Sequence, residues 1–205
     1  VVAFPKNENE LATLVKHARE MKLPVTFRAA GTSLSGQAIT DSILIVIGEK
    51  WNKHRVLDEG KSIELEPGIR GGRVNAILRP FGRKFGPDPA SLNACMVGGI
   101  VMNNASGMSC GTWANSDKLL ESIRLILTDG TILDTGSEES IRTFKTTHQE
   151  IIDGIRKIRD DIRADQELTE RIRYKYSIKN VMGLNLRPFV EYEDEIEILT
   201  HLIAG

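Results

Sequence analysis

RAAGTSLSGQ, residues 28–37, directly follows a strand-like run, VTF, at residues 25–27. Glycines and hydroxyl side chains in a loop after a strand leave backbone N–H groups free, and such groups form a nest for anionic oxygens. The loop lacks the lysine of the nucleoside-triphosphate motif GxxxxGK, because Gln37 occupies that position, and it also lacks the three glycines of GxGxxG. The pattern argues against a γ-phosphate and favours a pyrophosphate held by amides, as in a bound dinucleotide. A plain glycine–serine turn is the alternative on these residues alone.

The sequence on either side of this loop predicts a small α/β lobe over about residues 1–50. Asn7 and Glu10 form a capping box, and apolar residues at spacings of three and four then predict an amphipathic helix that ends at Pro24. Apolar runs before and after this helix predict strands. The expected order is strand, helix, strand, loop and strand, with strands at residues 1–4, 25–27 and 43–47.

The remainder of the chain predicts a second, mixed lobe over about residues 51–205. Asp129-Gly130 predicts the turn of an antiparallel hairpin. A capping box at Thr147 and Glu150 predicts the start of a helix whose apolar face carries Ile151, Ile152, Ile155, Ile158 and Ile162. Together with the first lobe, these elements predict an α+β fold. Further elements are expected as a strand at residues 63–66 and helices at residues 73–78 and 196–203.

A second unusual segment, FGPDPASLNACMVGGIVMNNASG, occupies residues 85–107. Its glycines and small side chains let the backbone approach another group closely. Pro87 and Pro89 hold an extended, rigid turn around Asp88, because each proline locks its own φ and restricts the residue before it. We therefore expect the segment to line a narrow slot for a flat polar ring. The alternative is a loop that packs against the core.

Composition excludes several classes of protein. The chain has 205 residues and a net charge of −1, so it has no basic field with which to bind nucleic acid or an anionic membrane by bulk electrostatics. The longest apolar run, residues 43–47, is too short to span a bilayer. The four histidines are scattered without metal-ligand spacing, which argues against a zinc site. Cys95 and Cys110 form no CxxC pair, and this suits a reducing compartment, with a disulfide only weakly supported.

A serine hydrolase is the main competing chemistry. Ser33, Ser35 and Ser106 are the candidate nucleophiles in glycine-rich surroundings. The chain lacks GxSxG, however, and none of its histidines has an evident catalytic partner in the sequence. We therefore expect no hydrolase.

Five further motifs follow the loop in the order found in one group of flavoproteins. Taken together with RAAGTSLSGQ, they resemble the FAD-binding domain of the vanillyl-alcohol oxidase, or PCMH, type. More narrowly they resemble the flavin-dependent D-2-hydroxyacid dehydrogenases that act on D-lactate, glycolate or D-2-hydroxyglutarate. Each motif is weak, but five in order over essentially the whole chain make a strong joint signal. The motifs are Glu66-Pro67-Gly68, Pro87-Asp88-Pro89-Ala90-Ser91, Val97-Gly98-Gly99, Asn103-Asn104-Ala105-Ser106-Gly107 and Leu127-Thr128-Asp129-Gly130.

The resemblance implies a role in FAD binding for the loop and for the four motifs that lie between Glu66 and Gly107. Amides and hydroxyls of residues 30–36 would hold the pyrophosphate, and residues 87–107 would line the isoalloxazine ring and ribityl chain. Thr32 stands near the position of a histidine that tethers FAD in some relatives, which implies a noncovalent flavin. The implied cofactor-binding residues are Arg28, Ala30, Gly31, Thr32, Ser33, Leu34, Ser35, Gly36, Gln37, Pro67, Gly68, Pro87, Asp88, Pro89, Ser91, Gly98, Gly99, Asn103, Asn104, Ser106 and Gly107.

The resemblance also implies what lies beyond these residues. Residues 176–186 look like a segment of the large flavin and iron–sulfur members, and Gly205 follows a helix as a C-cap would. We therefore expect residues 1–205 to be one FAD-binding domain of a longer protein. Its substrate domain, catalytic histidines and any iron–sulfur module or electron acceptor would follow. The chain alone is expected to hold FAD weakly and to be inactive, with no catalytic or metal-binding residue of its own.

For the intact protein, the resemblance implies an FAD-dependent dehydrogenase or oxidase that acts on the CH–OH group of a small 2-hydroxyacid. A cytoplasmic location is expected, with peripheral attachment to the inner membrane as an open alternative. Two alternative functions remain on the sequence. One is the flavin- or nucleotide-binding module of a different oxidoreductase, such as an enolpyruvyl-sugar reductase, and the other is a non-catalytic binding domain.

Overall fold

The first unit of the fold is a parallel sheet with one helix, as the sequence predicts. The structure, a computed structural model, describes residues 1–181 and 183–204. The strand order is β1-β3-β2, and both outer strands run parallel to β3. The Asn7 side chain accepts a hydrogen bond from the Glu10 amide and so caps the helix as predicted. These elements are β1 (Val2–Ala3), α1 (Glu8–Glu20), β2 (Val25–Arg28) and β3 (Ile43–Val46).

The apolar face of α1 packs on this sheet. Leu11 and Val15 of the helix form one buried cluster with Ile45, Ile47 and Trp51. Because the three strands are parallel, the connections that leave their carboxyl ends emerge at one edge of the sheet, which is where open α/β sheets bind ligands. The RAAGTSLSGQ loop leaves β2 at that edge.

The middle of the chain forms a hairpin and three short helices. The sequence analysis did not predict β4, α3 or α4. β4 lacks a clear apolar pattern and pairs antiparallel with β5, where an exposed cross-strand ion pair joins Arg55 to Glu64 (2.6 Å). α3 contains two glycines, which disfavour a helix, and forms because Val97 and Ile100 are buried. The elements are β4 (His54–Leu57), β5 (Ser62–Leu65), α2 (Gly71–Leu78), α3 (Val97–Met102) and α4 (Ser116–Leu119).

The last part of the chain is a second hairpin covered by helices. Leu133 of this hairpin lies in one buried cluster with Phe144, Ile152 and Ile196, which come from three different helices. Ile158 is 47% exposed, so it lies off the apolar face on which it was predicted. The elements are β6 (Arg124–Ile126), β7 (Ile132–Asp134), α5 (Glu138–Thr147), α6 (Gln149–Ala164), α7 (Gln166–Ser177), α8 (Pro188–Glu191) and α9 (Glu195–Leu202).

The predicted capping box at Thr147 is wrong. Thr147 is the last residue of α5, and His148 precedes α6 without a side-chain cap. A side-chain cap is found instead at the start of α5, a helix that the sequence analysis did not predict. There the Ser137 side chain accepts a hydrogen bond from the Ser140 amide. Two helices therefore meet where the sequence predicted a single start.

None of the helices in the described ranges is long and apolar enough to cross a bilayer. Two sequence-based expectations cannot be compared with the structure. The C-cap expected at Gly205 lies outside the described residues. The same is true of Met182, within the segment 176–186 that resembles the larger flavoproteins.

The hairpin turn at Asp129 predicts a pH dependence of stability. The hydrogen bond from the Thr131 amide (2.8 Å), followed by the contact with His148 (2.9 Å), lowers the pKa of the Asp129 carboxyl to about 2. Because the pKa in the folded state lies below that in the unfolded state, the ionised carboxylate stabilises the fold above about pH 4. This contribution is lost as the pH falls toward about 2.

We expect Asp129→Asn to flatten the dependence of Tm on pH between about pH 4 and 2. The measurement is thermal unfolding of both proteins at a series of pH values. Asp41→Asn, at an exposed carboxylate in the connection before β3, serves as the control and should leave the wild-type profile unchanged. Parallel curves for wild type and Asp129→Asn would contradict the prediction.

Candidate functional site

The loop after β2 presents a row of unpaired amides to solvent. Gly31 and Gly36 have φ values of +66° and +75°, a backbone conformation that side-chain-bearing residues rarely adopt. Residues 31–37 are all exposed. Within the described ranges, none of the amides from residue 30 to residue 36 donates to an acceptor in the protein. Because these amides have no acceptor among the described residues and most of them face solvent, they are free to donate to an external anion.

One positive charge lies directly beside the loop. A Cβ atom on Gly31 would lie 2.5 Å from Nε of Arg28, so the guanidinium group of Arg28 lies directly against the Cα of this glycine. Within the loop, the Ser33 hydroxyl donates to the Gln37 amide oxygen. Leu34 is fully exposed. A guanidinium group and free amides at one place are the combination that binds phosphate oxygens through charge-assisted hydrogen bonds.

A second group of predicted residues forms where the edge of the first sheet meets α3. The Gly68 amide donates to the carbonyl oxygen of Trp51 (2.7 Å), and a Cβ atom on Gly68 would lie 2.4 Å from the carbonyl oxygen of Gly48. The Gly98 amide donates to the carbonyl oxygen of Pro67 (2.9 Å). The structure thus brings Pro67, Gly68 and Gly98 together. It adds Gly48 and Trp51, which sequence reasoning missed because their carbonyl groups carry no sequence signal.

A third group forms where the Pro87-Asp88-Pro89 turn meets Gly107. The Asp88 amide donates to the carbonyl oxygen of Ser106 (3.0 Å), and Asp88 pairs with Gly107 in an isolated parallel bridge. Gly107 has a φ of +67°, and a Cβ atom there would lie 1.7 Å from the carbonyl oxygen of Asp88. Only glycine permits this approach of two backbones. Pro87 is fully buried beneath the turn.

The remaining predicted residues divide between the surface and the interior. Ser91, Gly99 and Asn103 are exposed, and a Cβ atom on Gly99 would meet nothing within 4 Å. Asn104 and Ser106 are each only 3% exposed. Their side chains therefore face the interior, and their contribution at the surface is through the backbone.

Two lysines flank the Asp88 turn, and neither was predicted. Lys84 Nζ donates to Asp88 Oδ2 (3.0 Å), and this bond, followed by one from Ser109, lowers the pKa of the Asp88 carboxyl. Lys179 Nζ donates to the carbonyl oxygen of Gly107. The spacing of four residues from Lys84 to Asp88 could have indicated the first contact. Nothing in the sequence indicates the second, because 72 residues separate its partners.

The loop at residues 28–37 and the segment at residues 87–107 are not bonded to each other directly. Across the described part of the chain, no hydrogen bond or ion pair joins them. They are connected through the body of the protein, from β3 to Trp51, then to Gly68, Pro67 and the start of α3. Two separate sites at this surface suit a long ligand with one polar group at each.

Other chemically active groups belong to local structure. His148 lies 2.9 Å from Asp129, and His201 Nδ1 lies 2.7 Å from the carbonyl oxygen of Asp117. Both histidines thus have partners that the sequence did not indicate. Cys95 and Cys110 are buried and unpaired, so the disulfide is not formed. Among the described residues, no group of three or more His, Cys, Asp or Glu side chains is arranged to hold a metal.

The FAD binding domain family matches residues 1–136. Curated relatives include the glycolate oxidase subunit GlcD of Escherichia coli (strain K12), 29% identical, covering 67% of this chain and 28% of that protein. The D-2-hydroxyglutarate dehydrogenase of Haemophilus influenzae is 24% identical and covers 100% of this chain and 21% of its own length. The D-lactate dehydrogenase of Archaeoglobus fulgidus is 28% identical over 67% of this chain and 31% of its own. The chain therefore spans less than a third of the length of these relatives.

Solved structures have the same fold. 6-Hydroxy-D-nicotine oxidase from Arthrobacter nicotinovorans superposes with a TM-score of 0.57 at 16% identity, over 65% of this chain and 29% of that one. An alkyldihydroxyacetonephosphate synthase superposes with a TM-score of 0.56 at 21% identity, over 69% of this chain and 30% of that one. The predicted α+β fold of the PCMH type is thus confirmed. The chain belongs to the FAD binding domain family and is homologous to glycolate oxidase, D-lactate dehydrogenase and D-2-hydroxyglutarate dehydrogenase.

Proposed function

We propose that the chain holds FAD with the pyrophosphate on the loop after β2 and the isoalloxazine ring against residues 87–107. The observation that carries this proposal is the row of amides from residue 30 to residue 36, which have no acceptor among the described residues and which, apart from the half-buried Ala30, are exposed. Arg28 beside Gly31 supplies the positive charge that a pyrophosphate requires. The donor set therefore fits the phosphate half of the cofactor.

The proposed ring site also fits the chemistry of its residues. The isoalloxazine ring is flat and polar at one edge, so it is bound best where a backbone can approach it closely. The contact of Gly107 with the Asp88 carbonyl group and the buried Pro87 hold the backbone rigidly at that turn, and no side chain on Gly107 blocks the approach. Gly98, Gly99, Asn103 and Ser91 would complete the lining.

We propose a noncovalent flavin, because a threonine, Thr32, stands where a tethering histidine occurs in some relatives. A threonine hydroxyl offers no nucleophilic nitrogen to the flavin. Acid precipitation of the purified protein should therefore release all of the FAD into the supernatant. Yellow colour retained in the washed pellet would contradict a noncovalent flavin.

For the intact protein we propose the oxidation of a small D-2-hydroxy acid. Bound FAD supplies a hydride acceptor for the α-hydrogen of the substrate. The residues of this chain bind and orient the cofactor, and Lys84, Asp88 and Lys179 place charged groups beside the proposed ring site. The group that accepts the hydroxyl proton, the electron acceptor and any iron–sulfur module belong to other parts of the protein. The proposal rests on homology to three relatives whose names give glycolate, D-2-hydroxyglutarate and D-lactate, all of which are 2-hydroxy acids.

A cytoplasmic location is also part of the proposal, since the two cysteines are unpaired and such cysteines suit a reducing compartment. We further propose that residues 1–50 and 51–205 act as two lobes of one domain. The location can be tested by fractionation of cells that produce the intact protein. Recovery in the membrane fraction would favour peripheral attachment instead.

The test of function is the visible spectrum of the intact protein. Purified protein should carry an oxidised flavin that absorbs near ~450 nm. Under anaerobic conditions, D-lactate, glycolate or D-2-hydroxyglutarate should bleach that band, whereas L-lactate should not. A stable flavin band that none of these acids bleaches would favour a different oxidoreductase or a non-catalytic binding domain. Protein that lacks flavin and does not retain added FAD would overturn the proposal as a whole.

Ser35→Ala tests a single hydroxyl of the loop. We expect FAD binding to weaken by about 1 kcal/mol, roughly fivefold in Kd, because one hydrogen bond to the pyrophosphate is lost. The measurement is quenching of FAD fluorescence on titration with the intact apoprotein. Ser42→Ala, later in the same connection and outside the proposed site, is the matched control and should keep the wild-type Kd. Equal Kd values for the two variants would remove Ser35 from the site.

A further inference from the structure

A buried polar cluster connects the last helices of the chain to the proposed ring site. Its centre is an ion pair between Arg187 and Asp117, with 2.7 Å between Nη2 and Oδ2. The two side chains are 6% and 4% exposed. Arg187 directly precedes α8, and Asp117 lies in α4, 70 residues earlier in the chain. The pair therefore joins two distant segments in the interior.

Asp117 is held from several sides. Asn185 Nδ2 donates to its Oδ2 (3.1 Å), the same oxygen that faces Arg187. His201 Nδ1 lies 2.7 Å from the carbonyl oxygen of Asp117, and because a carbonyl only accepts, this ring nitrogen carries the proton. Arg187 in turn contacts Glu191 (3.1 Å). Side chains from the C-terminal region thus fix both the carboxylate and the backbone of one residue.

The cluster continues from Asp117 to the proposed ring site. The Asp117 amide donates to Oδ1 of the buried Asn104 (3.3 Å). Asn104 has a φ of +41°, so its backbone turns sharply at this point. Two residues later the carbonyl oxygen of Ser106 accepts from the Asp88 amide, and Gly107 pairs with Asp88. A continuous series of contacts therefore runs from Arg187 to the turn proposed to line the flavin.

Stability alone does not explain this cluster. Arg187 Nε and Nη2 lie close to carboxylate oxygens, but their N–H groups are not directed at them well enough to form hydrogen bonds. Asp117 Oδ1 and the hydroxyl groups of Ser106 and Ser116 are also buried without a partner among the described residues. Buried ion pairs stabilise a fold weakly or not at all, and unpaired buried groups destabilise it. In some proteins, buried pairs of this kind fix one arrangement among several.

We propose that Arg187 and Asp117 are positioning residues that hold the turn at residues 103–107 in the conformation that accepts the isoalloxazine ring. This inference rests on the proposed FAD site and extends it to residues that do not touch the cofactor. Arg187 acts through Asp117, and Asp117 acts through Asn104. Removing the pair leaves the helices packed by their apolar clusters but releases the turn.

The test uses the intact protein with Asp117→Asn and Arg187→Met together. Removing both charges avoids an unpaired buried ion, which would otherwise unfold the protein, and an asparagine at position 117 still accepts from Asn185. We expect a folded protein whose Kd for FAD is at least tenfold higher than that of wild type. At saturating FAD, the visible circular dichroism of the bound flavin should also change, because it reports the surroundings of the ring.

Arg187→Lys is the second variant, and it retains a cation opposite Asp117 without the planar guanidinium group. We expect it to raise Kd about threefold. Arg156→Met is the matched control, since Arg156 pairs with Glu195 in the same helical layer (2.8 Å) but has no contact with Asp117. It should keep the wild-type Kd and flavin spectrum.

The outcomes separate this inference from the proposed function. Wild-type protein that does not bind FAD would overturn the proposed function. If wild type binds FAD and a folded variant at position 187 keeps both the wild-type Kd and the wild-type flavin circular dichroism, only the positioning role is overturned. If the double variant does not fold, the Kd and flavin circular dichroism of Arg187→Lys decide whether the positioning role stands.

Discussion

Gly107→Ala is expected to weaken FAD binding by about a hundredfold or more. Two effects combine at this position. The backbone has a φ of +67°, which is strained for alanine by about 1–2 kcal/mol. The new Cβ would also lie 1.7 Å from the carbonyl oxygen and 2.5 Å from the carbonyl carbon of Asp88. Both of these atoms are backbone, so the turn itself has to move.

The control separates strain from collision. Gly82 has a φ of +63°, and a Cβ atom there would meet nothing within 4 Å. Gly82→Ala therefore carries the same conformational strain without the clash, and it should lower stability by about 1 kcal/mol while leaving the Kd for FAD unchanged. Fluorescence titration with FAD and urea unfolding of both variants provide the comparison. A Kd for Gly107→Ala within threefold of wild type would mean that the ring lies elsewhere.

Elements whose signals are local could be predicted from the sequence. Short apolar runs between turn residues indicated β2 and β3, and the Asp129-Gly130 pair indicated the hairpin, where Gly130 has a φ of +89°. The loop glycines at 31 and 36 were predicted to leave amides free for an anion, and both adopt a positive φ, which glycine does at little cost. In each case the residue type itself determines the local conformation, so no distant contact is needed.

Elements that depend on distant partners could not be predicted. α3 exists because Val97 and Ile100 are buried, although Gly98 and Gly99 disfavour a helix. The misplaced start at Thr147 has the same origin. A serine or threonine followed three residues later by glutamate is common, and here the preceding helix continues through Thr147 because Phe144 is buried in the core.

Within the candidate site too, features with local signals could be predicted and features that depend on distant contacts could not. The free amides of the loop follow from its glycines and its place after a strand, both visible in the sequence. The contact of Gly107 with Asp88, and the series from Arg187 through Asp117 to Asn104, join residues 13 to 70 positions apart. Such contacts arise from the tertiary fold. A single sequence shows that glycine and asparagine occur there but not what they approach.

Thr32→Pro should weaken FAD binding by about 2–3 kcal/mol, or about thirty- to a hundredfold in Kd, because it removes an amide from the centre of the proposed nest. Proline has no N–H to donate. It also restricts the residue before it, here Gly31, whose φ of +66° shapes the loop. The loop is exposed, and no amide from residue 30 to 36 has an acceptor within the described ranges. The free energy of unfolding of the apoprotein should therefore change little.

Thr32→Ala distinguishes the amide from the hydroxyl. It keeps the N–H group and removes only the side-chain oxygen, so we expect a loss of about 1 kcal/mol, the value of one hydrogen bond. FAD titrations of the three proteins, with urea unfolding as a check on stability, give the comparison. If Thr32→Pro retains FAD as well as Thr32→Ala does, the pyrophosphate is not bound by main-chain nitrogen atoms at this loop. The amides, which have no acceptor among the described residues, would then be free for a different anion, because donors at the carboxyl edge of a parallel sheet are the arrangement from which an anion site is built.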